Sequence, residues 1–319
     1  MHCPSLRLSF YAACLLAALA LCLPAPAQAA TLTVPAQYPT LQAAVTAAAS
    51  GDTVLVADGT YSGPGNHDID FGGKSLTVAS QNGAASTIID CQGSSSANHR
   101  GFYLHSGETS AVIRGLTIKN GYDSNSFFGS PYGGKGAGIA EYKANLTVQN
   151  CTIKDNTADG YGGGIYNENG TLAVTNCTFT GNAAIIPPAT TASSYGGGIY
   201  NENGTLTVTN CTFTGNAAMG STGNGGGIST YITAAGDPVN ITGCTFTSNS
   251  APGGAGGGVS NYTMGGSITI TGCTFTGNSA GSGGGMDNYN NGSGTTMVNS
   301  CTFTGNSAGN GGGLGSGGS

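Results

Sequence analysis

The sequence predicts an all-β solenoid: a parallel β-helix with three short strands per coil, opened by a capping strand and helix. Three observations carry that prediction. A block built around one Cys returns from residue 146 onward, at Cys151, Cys177, Cys211, Cys244, Cys273 and Cys301, with intervals of 26, 34, 33, 29 and 28 residues. Self-similarity of that length marks a solenoid, a propeller or an array. Inside one block, apolar residues alternate with period two and switch parity at a single Asn or Gly. Between blocks stands a glycine cluster ending in one apolar residue: Ile139, Ile165, Ile199, Ile228, Val259, Met286 and Leu314.

The elements follow in chain order. Residues 1–29 read as a signal peptide: Arg7 precedes an apolar run over 10–23, and Ala27 and Ala29 form an A-x-A cleavage site that leaves Ala30 first. The run is too short to span a bilayer, and no later stretch is apolar enough to be a transmembrane span. Residues 30–62 form the cap. Thr31-Leu-Thr-Val34 is a strand, and Leu41, Ala44, Val45 and Ala48 lie on one face of a short helix that Gly51 stops. The cap also holds the first coil strand, expected at 53–57, and residues 63–145 form irregular coils, with strands expected at 75–79, 87–90, 101–104 and 111–118. Residues 146–319 form the regular coils.

One regular coil reads Thr171-Leu-Ala-Val-Thr175-Asn176-Cys177-Thr-Phe179-Thr-Gly-Asn182. Leu172 and Val174 face one side, and Cys177 and Phe179 have the opposite parity, so the chain bends at Asn176. The equivalent positions are Asn150, Asn176, Asn210, Gly243, Gly272 and Ser300. Asn and Gly tolerate the left-handed backbone conformation best. A second Asn column (156, 182, 216, 249, 278, 306) is expected to mark the next corner. The Gly-Gly-Gly-Ile-Tyr segment supplies the third strand. Stacked coils ~4.8 Å apart then carry Leu/Val/Ile, Cys and Phe ladders inside. After Leu314 the sequence finishes as Gly-Ser-Gly-Gly-Ser, so the last coil is expected to be uncapped and open to a partner or to self-association.

Composition excludes other classes. Of 319 residues, 58 are Gly and 22 are charged, giving a net charge of -6. Collagen would need Gly at every third position, and disorder would need more charge and fewer apolar residues. All 8 basic residues lie at or before Lys154. Nucleic acid is therefore not an expected partner, because phosphate binding needs a basic patch.

The order helix cap, Gly51-Asp52-Thr53, Asp58-Gly59-Thr60-Tyr61, Lys74-Ser-Leu-Thr-Val78 and Ile89-Asp90 resembles the entry of secreted pectin-lyase-like β-helix proteins, which implies a right-handed winding. The later coils resemble polymorphic outer-membrane protein repeats, which pair Gly-Gly-Ala-(Ile/Leu/Val) with Phe-x-x-Asn. Phe179-x-x-Asn182, Phe213-x-x-Asn216, Phe246-x-x-Asn249, Phe275-x-x-Asn278 and Phe303-x-x-Asn306 match the second half. The glycine half departs, reading Gly-Gly-Gly in most coils and Gly136-Ala-Gly-Ile139 in one. The resemblance implies a secreted or cell-surface protein, associated with the outer membrane in that family, with adhesion as its role and a polysaccharide or cell-surface component as its partner.

Pectin-lyase-like enzymes use an Arg base with Ca2+-binding carboxylates, or an Asp pair, so the resemblance also defines an enzymatic alternative. Arg100 and Arg114 are the only arginines after the leader, and Asp68, Asp70, Asp90, His67, His99 and His105 share their segment. A polysaccharide lyase or glycoside hydrolase would work there. Turn chemistry accounts for Asp90 and for His67-Asp68 equally well, and catalysis is not expected. Asn167-Glu168-Asn169-Gly170 and Asn201-Glu202-Asn203-Gly204 offer oxygens suited to Ca2+, with one carboxylate each; turn chemistry explains these as well, and no cofactor is expected. The Cys ladder is expected to hold free buried thiols rather than disulfides.

Outward Thr pairs flank each Phe of the repeat: Thr178 and Thr180, Thr212 and Thr214, Thr245 and Thr247, Thr274 and Thr276, and Thr302 and Thr304. These ten are the candidate exposed binding face, and their regular grid resembles that of ice-binding solenoids. Thr is also the ordinary residue of an exposed strand face.

Overall fold

The computed structural model describes residues 28–124, 134–186 and 193–318. The proposed signal peptide falls almost entirely outside the described residues. Among those residues, no helix is long and apolar enough to cross a membrane. From Thr31 the chain winds into four parallel sheets of ten, nine, seven and nine strands. We call these the first to fourth sheets, in the order in which a regular coil visits them after its glycine cluster has led into the fourth.

In one regular coil, Ile165–Glu168 lies in the fourth sheet, Thr171–Thr175 in the first, Thr178–Thr180 in the second and Ala183–Ile185 in the third. Each pairs in register with its counterpart one coil on: Leu172 with Leu206, Phe179 with Phe213, Ala184 with Ala218, and Ile165 with Ile199. The expected three strands per coil describe the coils before Tyr122; from Tyr122–Asp123 on, a fourth short strand is added. Its single inward residue is a small Ala (158, 184, 218 or 251), too weak a signal to read as a strand. The expected strand at 111–118 is two strands, Ala111–Arg114 and Thr117–Lys119, split by a left-handed Gly115 with φ 68°.

The first corner is where the parity switch placed it. Asn150, Asn176, Asn210, Gly243, Gly272 and Ser300 all have φ between 52° and 63°. The second corner differs from expectation by one residue. The left-handed position falls on Asp155, Gly181, Gly215, Ser248, Gly277 and Gly305, immediately before each Asn. The Asn side chains point inward instead. Asn156 through Asn278 are fully buried and hydrogen-bond coil to coil: Asn182 Nδ2 donates to Asn216 Oδ1 at 2.9 Å, and Asn216 to Asn249 at 2.9 Å. The second Nδ2 proton goes back along the axis, as from Asn216 to Phe179 O at 3.0 Å. A buried amide needs all these partners, and identical stacked coils provide them.

The rest of the interior is apolar. Phe179, Phe213, Phe246, Phe275 and Phe303 stack with ring centroids 4.6, 4.9, 4.8 and 4.7 Å apart, so the strand spacing itself sets the ring stack. Seven cysteines, 91 to 301, are free, and in the ladder each backbone N–H donates to the next coil's sulfur, as from Cys177 to Cys211 Sγ at 3.3 Å. The glycine cluster is required by space: a Cβ on Gly198 would sit 2.5 Å from Gly227 O and 3.0 Å from Phe213 Cδ1. Helix α1, Leu41–Ala47, is capped by Thr40 Oγ1, which accepts from Ala43 N–H. It buries Leu41, Ala44 and Val45 against the first strands. At the other end Val298, Cys301 and Phe303 are only partly buried and Leu314 is 45% exposed.

Candidate functional site

The Thr pairs lie on the second sheet with Phe inward between them, in register from coil to coil: Thr178 beside Thr212, Thr180 beside Thr214, and onward to Thr302 and Thr304. Their exposure is less uniform than the sequence suggested. Thr178, Thr212, Thr302 and Thr304 are exposed, whereas Thr180, Thr214, Thr245, Thr247, Thr274 and Thr276 are half-buried. Expectation is corrected for those six. A Thr in the middle of the stack is flanked on both sides by the same residue of the adjoining coils, at the strand spacing of ~4.8 Å, and those neighbours cover part of the six, although Thr178 and Thr212, flanked in the same way, stay exposed. Thr302 and Thr304 lie in the last strand of the sheet and have a neighbour on one side only. The ten residues share one side of one sheet, and neither groove described below includes any of them.

The five residues of the enzymatic alternative do not converge. Arg114 is exposed on the first sheet, beside Ala79 and Gln149 in register. Asp90 ends a strand of the second sheet and pairs with Lys119 at 3.0 Å. Burial works against its charge, but hydrogen bonds from Asn120 and Lys119 together outweigh that and hold its carboxyl below the usual range. Asp68, Asp70 and Arg100 belong to the fourth-sheet side. Asp70 meets His105 Nε2 at 3.2 Å. Arg100 is buried, donating from Nη2 to Asp123 Oδ2 at 2.7 Å and stacking over Tyr103 at 5.0 Å. Its Nη2 is committed to that pair, whereas its buried Nη1 has no hydrogen-bond partner among the described residues. Asp68 Oδ2 lies 2.7 Å from His67 Nδ1 and 2.8 Å from His99 Nδ1, three ligand-type groups within 4.8 Å of one another.

Sequence reasoning missed the tyrosines of the fourth sheet. Its strands have two outward columns. One runs Tyr103, Ala140, Tyr166, Tyr200, Ser229 and Ser260; the other runs Tyr142, Glu168, Glu202, Tyr231, Tyr262 and Tyr289. A third column of isolated bridges precedes them, Lys135, Tyr161, Tyr195 and Asn224. Tyrosines thus recur along one face through all three columns. Tyr166 and Tyr200 are buried, whereas Tyr161, Tyr195, Tyr231 and Tyr262 are half-buried and Tyr289 is 41% exposed. Rings stack along the axis: Tyr161 on Tyr195 at 5.6 Å, Tyr231 on Tyr262 at 4.9 Å and Tyr262 on Tyr289 at 5.4 Å. The signal was in the repeated Ile-Tyr-Asn-Glu of 165–168 and 199–202, but period-two reading gives only a side of the sheet, not which side chains gather there.

Charged groups are set into this face. Lys135 Nζ lies 4.8 Å above the Tyr166 ring, a cation–π contact, and donates to Glu168 Oε2 at 3.2 Å. Asp123 positions the lysine by accepting from its backbone N–H at 2.9 Å. Burial pushes the Asp123 carboxyl up, against the opposing pull of Arg100. Tyr166 Oη reaches Glu168 Oε2 at 2.6 Å and Glu202 Oε2 at 2.9 Å. Burial and those acceptors push the phenol far up, so it remains a donor. A groove of about 370 Å3 lies between Lys135, Tyr161, Tyr195, Tyr200, Glu202 and Tyr231. A second, of about 220 Å3, continues along Tyr195, Asn224, Ser229, Thr230, Tyr231, Ser260 and Tyr262. The Asn-Glu-Asn-Gly turns read as oxygen donors are used within the fold: Asn167 and Asn201 are buried and bonded to each other at 2.6 Å, and Glu168 and Glu202 accept from Tyr166.

Residues 50–301 match the family described as the right handed beta helix region. The chain belongs to that family. No curated protein matches it. Solved structures similar to it include the rice weevil pectin methyl esterase, at 12% identity and TM-score 0.41 over 83% of this chain and 85% of that one. ORF18 of Geobacillus virus E2 has 16% identity and TM-score 0.40, over 83% of this chain and 57% of that one. A Paenibacillus alginate lyase has 15% identity and TM-score 0.34, over 86% and 97%.

Proposed function

We propose that this protein is an exported β-helix that binds a glycan chain along the tyrosine face of its fourth sheet, acting as a surface or extracellular contact module without chemistry of its own. The observation that carries the reading is the two contiguous grooves walled by Tyr161, Tyr195, Tyr200, Tyr231 and Tyr262. Aromatic faces take the apolar faces of sugar rings, and the ring edges leave room for hydroxyl groups. Lys135, Glu202, Asn224, Ser229, Thr230 and Ser260 supply donors and acceptors beside them, and aromatic walls combined with placed polar groups suit a ligand site. The face repeats with the strand spacing of ~4.8 Å, which suits a linear polymer better than a compact ligand. Dispersal of Asp90 and Arg114 onto other sheets favours binding over the lyase or hydrolase alternative. Export rests on the leader pattern of residues 1–29, with Ala30 expected as the first residue of the released chain.

The test is retention of the protein on a panel of immobilised neutral and acidic polysaccharides, with reducing-end release followed in the same samples. Retention is expected on at least one polymer, without release. Tyr231→Ala, which opens both grooves, is expected to weaken it about tenfold, the scale of one aromatic contact together with its buried area. No retention on any polymer, or retention indifferent to Tyr231→Ala and Tyr262→Ala, would refute the assignment. Release abolished by Arg100→Ala would move the chemistry to the first coils.

A further inference from the structure

We propose that His67, Asp68 and His99 form a site for one divalent transition-metal ion, Zn2+ foremost, joining two consecutive coils ahead of the tyrosine face. The site is independent of glycan binding. His67 and Asp68 precede the fourth-sheet strand Ile69–Asp70, and His99 precedes the next, Phe102–Leu104. In-register pairing of Ile69 with Phe102 brings the two segments side by side.

The carboxylate is held by backbone. Asp68 takes the left-handed conformation, φ 54°, which Asp tolerates better than most residues other than Gly and Asn. It is secured by two bonds to one residue: Asp68 N–H donates to Arg100 O at 2.6 Å, and Arg100 N–H donates to Asp68 Oδ1 at 2.8 Å. Oδ2 is thereby turned toward both imidazoles, with Nδ1 atoms at 2.7 and 2.8 Å. The two rings are packed together, centroids 3.9 Å apart and tilted by 40°, so both Nδ1 atoms converge on a single point. Ligands at Zn2+ sit about 2.0–2.2 Å from the ion, which places tetrahedral donors roughly 3.4 Å apart. Opening the two Oδ2–Nδ1 separations by about 0.6–0.7 Å reaches that geometry. Each imidazole would bind through its Nδ1 lone pair, in the tautomer that carries the proton on Nε2. Side-chain exposure runs from 9% at His67 through 33% at His99 to 46% at Asp68. One flank is therefore closed by protein and the other is open for solvent as fourth ligand.

Two imidazoles and one carboxylate suit Zn2+, Cu2+ or Ni2+, whereas Ca2+ and Mg2+ prefer all-oxygen sets. A bound ion links the two coils and raises stability by mass action. The experiment titrates the metal-stripped protein with Zn2+ by calorimetry and with Co2+ by visible absorption, and records the melting temperature in each case. We expect one equivalent bound, a higher melting temperature with Zn2+, and no displacement by millimolar Ca2+. His99→Ala and Asp68→Asn are each expected to weaken binding by about tenfold or more, since even outer-shell losses reach that scale. His105→Ala, at the neighbouring Asp70 pair, is expected to leave it unchanged. Far-UV circular dichroism confirms the fold of each variant. Absence of Zn2+ uptake, or uptake unchanged in a folded His67→Ala/His99→Ala variant, would overturn the proposal.

Discussion

Replacing Asn216 by Ala removes one link from the buried amide ladder, and the structure gives the cost. Asn216 Nδ2 donates to Phe179 O at 3.0 Å and to Asn249 Oδ1 at 2.9 Å; its Oδ1 accepts from Asn182 N–H at 3.1 Å and from Asn182 Nδ2 at 2.9 Å. The substitution leaves the Asn182 N–H and one Nδ2 proton unpaired, and takes one donor each from Phe179 O and Asn249 Oδ1. The site is fully buried. At about 1 kcal/mol net for each of the lost bonds, the destabilisation comes to about 4 kcal/mol, in the range reserved for broken buried networks. Asn306→Ala is the matched control. Asn306 makes the same backward bonds, with Phe275 O and with the amide and side chain of Asn278, but is only partly buried. Water can replace part of what is lost there, so about 1–2 kcal/mol is expected. Urea unfolding followed by circular dichroism measures both, with a constant m value as the sign that cooperativity is intact. If Asn216→Ala costs less than about 1.5 kcal/mol, or no more than Asn306→Ala, the ladder is not the structural element argued here.

Glu141 is fully buried and its carboxyl is pushed well above the usual range, first by burial and further by the nearby Glu108, against one bond from Ala144 N–H. The native state therefore holds that proton while the unfolded chain releases it, so the Glu141 contribution to stability falls as pH rises above the ordinary carboxylate range. Glu141→Gln is expected to raise the melting temperature at pH 8 and to flatten its decline between pH 5 and 8; an unchanged pH profile would contradict this. In a chain starting at Ala30, denaturant should expose seven titratable thiols, whereas the native protein should alkylate only at the half-buried Cys301. Burial holds the Cys91 thiol protonated; fewer than seven thiols in denaturant would indicate disulfides. Ser300 holds φ 52° where Gly243 and Gly272 hold 63° at the equivalent corner, so Ser300→Gly should stabilise by about 0.5–1 kcal/mol in the same unfolding assay. The Thr face of the second sheet predicts ice-recrystallisation inhibition if it binds ice; its absence would leave those residues as ordinary strand surface.

The solenoid, its ladders and its first corner were legible in the sequence because stacking repeats one chemical environment every coil. A column of Asn, Phe or Cys therefore records a column in space. The parity switch at Asn176 and its equivalents locates a left-handed residue because only one backbone conformation turns the alternation over without a loop. The second corner was displaced by one residue because Asn satisfies two demands, corner and buried amide, and one sequence column does not say which it meets. The fourth strand escaped because a single inward Ala carries almost no periodic signal. Alternation also placed Thr214, Thr247 and Thr276 on the outer side, but how far their neighbours cover them is a matter of stacking. Tertiary structure alone decided the sites. Tyr161, Tyr166 and Tyr231 occupy three different positions within their coils, and only the winding brings their columns to one face around Lys135. His67 and His99 lie in different coils and meet at Asp68 because strand register sets Ile69 beside Phe102. Repetition along the axis is written in one dimension, whereas proximity across a face depends on where each turn closes.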